Sequence, residues 1–202
     1  MAYTSLQVRS SHQNFIEDSY LLLDAIEALY STPTSHIPVL ALEIGTGSGI
    51  ISAFVKGILK GNTFVLGIDI HLKAIEASHH CALLNRCQIN LVNADALTCG
   101  FRQASLFDLI VCNPPYVPTT EEELLDAVGL EKSWAGGPTS GTNSMISYLL
   151  SQGVLESMLS PIGGTFLLLV ESANRPMDLI ARFLNCHSPE HWCIDVHFRA
   201  YL

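Results

Sequence analysis

The sequence predicts an α/β fold with a doubly wound, Rossmann-like parallel sheet that carries helices on both faces. Short apolar segments alternate along the 202 residues with segments of helical periodicity. A glycine-rich turn joins the first apolar segment to a helix. Four of the predicted strands are followed at once by polar or acidic residues, as at the ligand edge of open parallel sheets. Together these observations predict one ligand-binding domain.

The amino-acid composition argues against several classes of protein. Of all residues 49% are hydrophobic, and 10 basic against 19 acidic residues give a net charge of −9. Without a local basic cluster, this balance argues against nucleic acid as a partner. No apolar stretch reaches the ~18 residues of a membrane span, and no signal-peptide pattern opens the chain. Six cysteines without a CxxC pair predict reduced thiols and no metal site. We expect a cytoplasmic protein, with the nucleus as a second location and no membrane partner.

The first residues predict a lead-in followed by a helix. Residues 1–14 are polar and follow no pattern, so we expect a flexible N-terminal lead-in and a single domain over residues 15–202. Apolar residues at helical spacing then predict a helix over residues 20–30. Asp18 or Ser19 is a suitable N-cap for that helix.

A glycine-rich turn follows the first predicted strand, residues 39–44. It contains Glu43, Gly45, Gly47 and Gly49, and opens a helix over residues 50–59. Glycines allow a tight turn and let a ligand approach the main chain. The acidic residue two positions before the first glycine would repel a dinucleotide's pyrophosphate. It favours S-adenosylmethionine, which has no phosphate and carries cationic sulfonium and ammonium groups.

Acidic residues also end the next two predicted strands. Asp69 closes the strand over residues 63–70, about 20 residues beyond the glycine turn, where a carboxylate can accept both ribose hydroxyls. A helix over residues 71–85 leads to a short third strand, which Asp95 follows. The alternative interpretation of both aspartates is structural, as a strand-end cap and a turn residue.

The fourth predicted strand, residues 106–112, ends in Asn-Pro-Pro-Tyr at residues 113–116. Prolines stop the strand and keep Asn113 out of helical geometry. The side-chain oxygen of Asn113 and the carbonyl of Pro114 can both accept N–H bonds from a planar amide or exocyclic amine. They would orient its nitrogen toward an electrophile. Tyr116 offers a face for stacking. A plain proline-terminated turn is the structural alternative.

The Asn-Pro-Pro-Tyr sequence is the signature of amino-group methyltransferases that use S-adenosylmethionine. Over residues 17–170 the chain resembles the HemK-like N5-glutamine methyltransferases. The likeness is greatest to their eukaryotic branch, which modifies the glutamine of the Gly-Gly-Gln motif in the translation termination (release) factor. The resemblance implies a methyltransferase domain with S-adenosylmethionine as cofactor and S-adenosylhomocysteine as product.

The resemblance also implies individual roles. The hydroxyl of Ser19 would contact the cofactor. Asp95 would accept a hydrogen bond from the adenine amino group, and the backbone of Ala96 would lie against the adenine ring. Trp134, in a Trp-Ala-Gly-Gly segment, would form a lid over the substrate. The candidate catalytic residues are Asn113, Pro114 and Tyr116; the candidate cofactor-binding residues are Ser19, Glu43, Gly45, Gly47, Asp69, Asp95, Ala96 and Asn113; the candidate substrate-binding residues are Asn113, Pro115, Tyr116 and Trp134.

Two further expectations come from the family. One is a small zinc-binding activator subunit that covers the edge of the third strand in a heterodimer. The other is a seven-stranded sheet ending in an antiparallel pair. The remaining sequence predicts only a fifth strand over residues 165–170 and a sixth over residues 191–200, so the last strand would be missing.

The motif alone leaves the acceptor open. It also serves methylation of adenine in DNA, against which the acidic charge argues, and methylation of lysine in proteins such as histones. A third alternative belongs to another class: an inactive, truncated form that only binds the activator subunit. Cofactor binding without turnover would distinguish it from an enzyme.

Overall fold

The computed structural model describes residues 2–9, 15–31, 36–59, 63–99, 106–115, 117–118, 135–137 and 145–199. The strands are β1 (Ala2–Arg9), β2 (Leu40–Ile44), β3 (Phe64–Asp69), β4 (Asn90–Asn93), β5 (Leu109–Cys112), β6 (Val117–Pro118), β7 (Ala135–Gly137), β8 (Thr165–Glu171) and β9 (Trp192–Arg199). The α-helices are α1 (Phe15–Tyr30), α2 (Ile50–Ile58), α3 (Leu72–Leu84), α4 (Met145–Leu149), α5 (Val154–Met158) and α6 (Pro176–Cys186), and Ser172–Asn174 and Pro189–His191 form 3₁₀ turns. Among the described helices, none combines the length and the apolar character needed to cross a bilayer.

Seven strands form one parallel sheet in the order β4-β3-β2-β5-β8-β1-β9. All four residues of β5 are buried, and so are the five central residues of β8. Such unbroken apolar runs are typical of parallel strands with both faces covered by helices. The predicted α/β fold is confirmed, and the carboxyl ends of β2, β3, β4 and β5 meet at one edge of the sheet.

The N-terminal segment corrects two expectations. Ala2–Arg9 lie in the stretch predicted to be a flexible lead-in, yet they form a strand between β8 and β9. The sheet therefore has seven strands, not the six that were predicted, and β1 occupies the position next to β8 in parallel orientation. Strand formation in so polar a segment comes from backbone pairing on both sides, which local sequence patterns do not encode.

The periodicity of residues 144–158 predicts one continuous helix, which the structure corrects. It is divided into α4 and α5, because Gly153 adopts a left-handed conformation (φ 80°) and acts as N-cap of α5. Glycine takes this conformation without the penalty that a Cβ would bring. The end of α5 contacts the segment that leads into β5, where the N–H groups of Leu106 and Phe107 both donate to the carbonyl of Met158.

Candidate active site

The glycine turn between β2 and α2 is tied to the neighbouring strand. The N–H groups of Gly45 and Thr46 both donate to the carbonyl of Ile68, at 2.8 and 3.2 Å. Gly49 closes the turn with φ 78°, and a Cβ there would lie 2.6 Å from the Cα of Ser78 on α3. A glycine is therefore required for both backbone conformation and space. The turn brings α2 and α3 together at the carboxyl edge of the sheet.

Glu43 lies behind this turn, on β2, and is almost fully buried. Its carboxylate accepts a hydrogen bond from the Ser52 N–H at 2.9 Å and another from the Ser52 hydroxyl. Burial raises the pKa of Glu43 to about 8; the Ser52 hydrogen bonds oppose this rise and the Asp69 charge adds to it. Glu43 thus holds the N-terminal turn of α2, and a cation bound nearby would favour its ionised form.

A pH-dependent stability follows from Glu43. Because the pKa of Glu43 is about 8 in the folded protein and 4.5 for an ordinary exposed glutamate, the folded state holds the proton more tightly. Stability from this group is complete below pH 4.5 and is lost as pH rises through 8. We expect Glu43→Gln, which keeps the acceptor for Ser52, to reduce the stability loss between pH 6 and pH 9 by roughly 2–3 kcal/mol.

Denaturant unfolding of the wild type and of Glu43→Gln at the two pH values measures this difference. Glu27→Gln is the matched control, because Glu27 lies on α1 with an exposed side chain. Equal loss of stability in the wild type and in Glu43→Gln would show that another group causes the pH dependence.

Asp69, at the end of β3, holds the glycine turn from the other side. Its two carboxylate oxygens accept from the N–H groups of Gly47 at 3.1 Å and His71 at 2.9 Å. Each oxygen keeps a further lone pair, so the carboxylate can still accept from hydroxyl groups of a ligand. The sequence predicted a ligand contact for Asp69; its additional role in fixing the turn is visible only in the fold.

Asp95 follows β4 and turns the chain back toward the sheet edge. Its Oδ1 accepts from the N–H of Leu97 at 2.9 Å, and the N–H groups of Thr98 and Cys99 donate to its carbonyl. This is the turn geometry that the structural alternative predicted. Asp95 nevertheless lines the same pocket as Asp69, so both of its interpretations remain compatible with its position.

Asn113 leaves β5 directly at this edge. Its side-chain Oδ1 is buried and has no hydrogen-bond partner among the described residues. A buried acceptor without a partner costs about 1–3 kcal/mol. Pro114 is buried and Pro115 half-buried, and the backbone carbonyl of Asn113 lies 4.0 Å from where a Cβ on Gly45 would be. The amide oxygen is thus held, unsatisfied, where the glycine turn and β5 meet.

These residues enclose one pocket of about 270 Å³. Nine predicted site residues line it: Ser19, Glu43, Gly45, Gly47, Asp69, Asp95, Ala96, Asn113 and Pro115. Pro114 is not among the lining residues, and Tyr116 and Trp134 lie outside the described residues. In the described part of the chain, no group of three or more His, Cys, Asp or Glu side chains is arranged to hold a metal ion.

The pocket also contains residues that the sequence analysis missed. Thr46 is buried in the glycine turn, and its Oγ1 has no hydrogen-bond partner among the described residues. Its place between two glycines was a usable signal. Met145, at the start of α4, lines the pocket with its sulfur 4.0 Å from that of Cys112. No local pattern marks Met145, because it reaches the pocket only through the packing of α4.

Comparison with known proteins gives the family. Residues 11–128 match the family model described as Methyltransferase small domain. The mouse (Mus musculus) protein Methyltransferase HEMK2 is 34% identical over 160 residues, which cover 78% of this chain and 71% of the mouse protein. This chain belongs to the HemK-like N5-glutamine methyltransferase family. In Schizosaccharomyces pombe, the eRF1 methyltransferase catalytic subunit mtq2 is 37% identical over 166 residues, covering 76% of this chain and 70% of that protein.

Solved structures agree with the fold of a HemK-like chain. A SAM-dependent methyltransferase from Agrobacterium tumefaciens superposes with a TM-score of 0.59 at 14% identity. The match covers 89% of this chain and 52% of the Agrobacterium chain. At this identity the likeness concerns the fold alone.

Proposed function

We propose that this chain transfers a methyl group from S-adenosylmethionine to the side-chain amide nitrogen of a glutamine, in the Gly-Gly-Gln motif of a translation termination factor. The observation that carries this proposal is the buried Oδ1 of Asn113 at the pocket wall, which has no hydrogen-bond partner in the described part of the chain. This oxygen can accept a hydrogen bond. An amide NH₂ can donate one N–H to it and its second N–H to the Pro114 carbonyl. A relative named as an eRF1 methyltransferase supports the choice of substrate.

The cofactor end of the pocket has the chemistry that S-adenosylmethionine requires. Main-chain groups of the glycine turn, with Ser19 and Asp69, would hold its polar groups, and Asp95 with Ala96 its adenine. When bound, the cofactor supplies an electrophilic methyl group on a cationic sulfonium. Two carboxylates, Asp69 and Asp95, line the pocket together with the buried acid Glu43, whose ionised form a bound cation would favour. Their negative field favours such a cation over a dinucleotide.

The acceptor end acts by positioning. An amide nitrogen is a weak nucleophile because its lone pair is delocalised into the carbonyl. Hydrogen bonds to the Asn113 Oδ1 and to the Pro114 carbonyl would fix both N–H groups and turn the lone pair toward the methyl group. As positive charge develops on nitrogen, both acceptors interact with it more strongly. We assign stacking on the substrate to Pro115 and Tyr116, and closure over it to Trp134.

A partner is proposed at the β4 edge of the sheet. The S. pombe relative is named as a catalytic subunit, which implies a second subunit for that protein. In this chain β4 is an edge strand, and large apolar side chains beside it are exposed: Ile70, Leu72, Leu83 and Leu84, each with 59–71% of its surface accessible. A small zinc-binding activator subunit would cover them in a heterodimer. We place this complex in the cytoplasm, with the nucleus as a second location.

The alternative is an inactive form that only binds the activator subunit; it would bind the cofactor without turnover. To identify the methyl acceptor, transfer of radiolabelled methyl from S-adenosylmethionine is measured with and without the activator subunit. The substrates are termination factors carrying Gly-Gly-Gln or Gly-Gly-Asn. We expect label on the Gly-Gly-Gln protein only, since an asparagine amide is one methylene shorter and falls short of Asn113. Label on a histone or on DNA, with none on Gly-Gly-Gln, would refute the glutamine assignment.

A further inference from the structure

Thr46 carries a polar group that no step of the proposed reaction uses. It lies in the glycine turn after β2 and lines the candidate pocket. Only 3% of its surface is exposed, and its Oγ1 has no hydrogen-bond partner within the described residues. A hydroxyl can donate one hydrogen bond and accept others. Because nearly all buried polar groups in folded proteins are paired, this hydroxyl is a candidate contact for a ligand.

The packing of the turn determines which groups of Thr46 are already engaged. A Cβ at Gly67, on β3, would lie 2.4 Å from the methyl carbon Cγ2 of Thr46. It is therefore the methyl group, rather than the hydroxyl, that packs against Gly67. The N–H of Thr46 donates to the carbonyl of Ile68 at 3.2 Å, and its carbonyl accepts from the N–H of Gly49 at 2.8 Å. Within the described residues, the hydroxyl is the polar group of Thr46 that is left for a ligand.

The glycine turn offers few other hydrogen-bond donors. Its N–H groups at residues 45, 46, 47 and 49 all donate to acceptors within the fold. In the described part of the chain, the N–H of Ser48 is the main-chain donor of this turn without a partner. Three hydroxyl side chains line the pocket, those of Ser19, Thr46 and Ser48, and of these only Thr46 is buried.

The amino-acid end of S-adenosylmethionine requires such donors, because it carries a carboxylate beside its ammonium group. Among the described residues that line the pocket, none is lysine or arginine, and His71 is exposed. Asp69 and Asp95 favour the cationic groups of the cofactor and repel its carboxylate. The carboxylate therefore needs neutral donors. A hydroxyl suits this role, since a hydrogen bond to an ionised acceptor is about twice as strong as one between neutral groups.

We propose that the hydroxyl of Thr46 donates a hydrogen bond to the carboxylate of the cofactor's amino-acid moiety. This inference rests on the cofactor part of the proposed function and is independent of the methyl acceptor. Thr46 then binds cofactor and product alike, because S-adenosylhomocysteine retains the same carboxylate. It contributes nothing to the binding of an adenosine derivative that lacks the amino-acid moiety.

The test is calorimetric titration of the full chain with S-adenosylmethionine, S-adenosylhomocysteine and 5′-methylthioadenosine, which has no amino-acid moiety. Thr46→Val keeps the shape of the side chain and removes the hydroxyl. We expect it to weaken the binding of the first two ligands by about tenfold or more, the effect of losing one hydrogen bond to a charged group. Its affinity for 5′-methylthioadenosine should be unchanged. Thr46→Ser, which keeps the hydroxyl, should bind all three ligands nearly as the wild type does.

The free energy of unfolding separates this role from a structural one. Because Oγ1 of Thr46 has no hydrogen-bond partner within the described residues, Thr46→Val should not lower the stability of the ligand-free protein. Thr63→Val is the matched control. Thr63 is equally buried, but its hydroxyl donates to the carbonyl of Pro38 at 2.6 Å. Its replacement should lower the stability and leave cofactor affinity unchanged.

Two results would overturn the inference while the proposed function stands. One is unchanged affinity of Thr46→Val for S-adenosylmethionine and S-adenosylhomocysteine. The other is an equal loss of affinity for 5′-methylthioadenosine, which would place the contact on the nucleoside or on the shape of the turn. Failure of the wild type to bind any of the three ligands would refute the inference and the proposed cofactor together. The predicted binding pattern without methyl transfer to glutamine would refute the acceptor assignment alone.

Discussion

Replacement of Asn113 by alanine is expected to lower the rate of methyl transfer by about 10²–10³-fold, the usual effect of removing one group that stabilises developing charge. The Oδ1 of Asn113 would no longer orient the acceptor amide. The glycine turn and the carboxylates are untouched, so affinity for S-adenosylmethionine should fall by less than about tenfold. Single-turnover transfer of labelled methyl gives the rate, and calorimetric titration gives the cofactor affinity.

The free energy of unfolding distinguishes a lower rate of methyl transfer in Asn113→Ala from a folding defect. Within the described residues, the Asn113 Oδ1 of the free protein is already buried without a hydrogen-bond partner. Removing it should therefore not reduce the free energy of unfolding, although most truncations of buried side chains do. Asn185→Ala, at an exposed position on α6, is the matched control and should leave both rate and stability unchanged. If Asn113→Ala instead abolishes cofactor binding and leaves single-turnover transfer at saturating cofactor intact, Asn113 binds cofactor rather than the acceptor amide.

Much of the lining of the candidate pocket was predictable because local rules place these residues. A buried strand followed by a glycine turn or by prolines brings the polar residue at its end to the carboxyl edge, so Glu43, Asp69 and Asn113 were recognisable from their positions at the ends of strands. Parallel pairing of β2, β3 and β5 then brings those ends together. Local rules do not give the contacts between elements. They left out Met145, which depends on how α4 packs, and the bonds from Asp69 to the turn.

Strand β1 was missed for a physical reason of the same kind. Its residues alternate polar and apolar only weakly, and an isolated segment of this composition would not hold an extended conformation. Its strand geometry comes from pairing with β8 and β9 at once. The helix break at Gly153 is a contrasting case: the signal was in the sequence, but glycine within a helical pattern is also tolerated, and only the positive φ decides.

Removal of residues 1–9 is expected to cost more stability than any single substitution considered above. Strand β1 pairs over seven residues with β8 and over eight with β9. Within the described sheet, β9 has no other neighbour, so without β1 it has no strand to pair with. The buried edge of β8, which is apolar on both faces, would be opened to water. We expect the free energy of unfolding to fall by at least about 4–5 kcal/mol, a loss that single substitutions rarely cause.

Hydrogen exchange tests this dependence strand by strand. In the shortened chain the amides of β9 should exchange as in an unfolded peptide, while those of β2 and β3, on the far side of β5, keep more protection. Adding a peptide of residues 1–10 in trans should restore protection to β9, because the strand needs no covalent link to pair. Retention of β9 protection in the shortened chain would mean that β9 pairs directly with β8 and that β1 is dispensable. In that case the remaining six strands would form a continuous sheet, and residues 1–9 would not be needed for its stability.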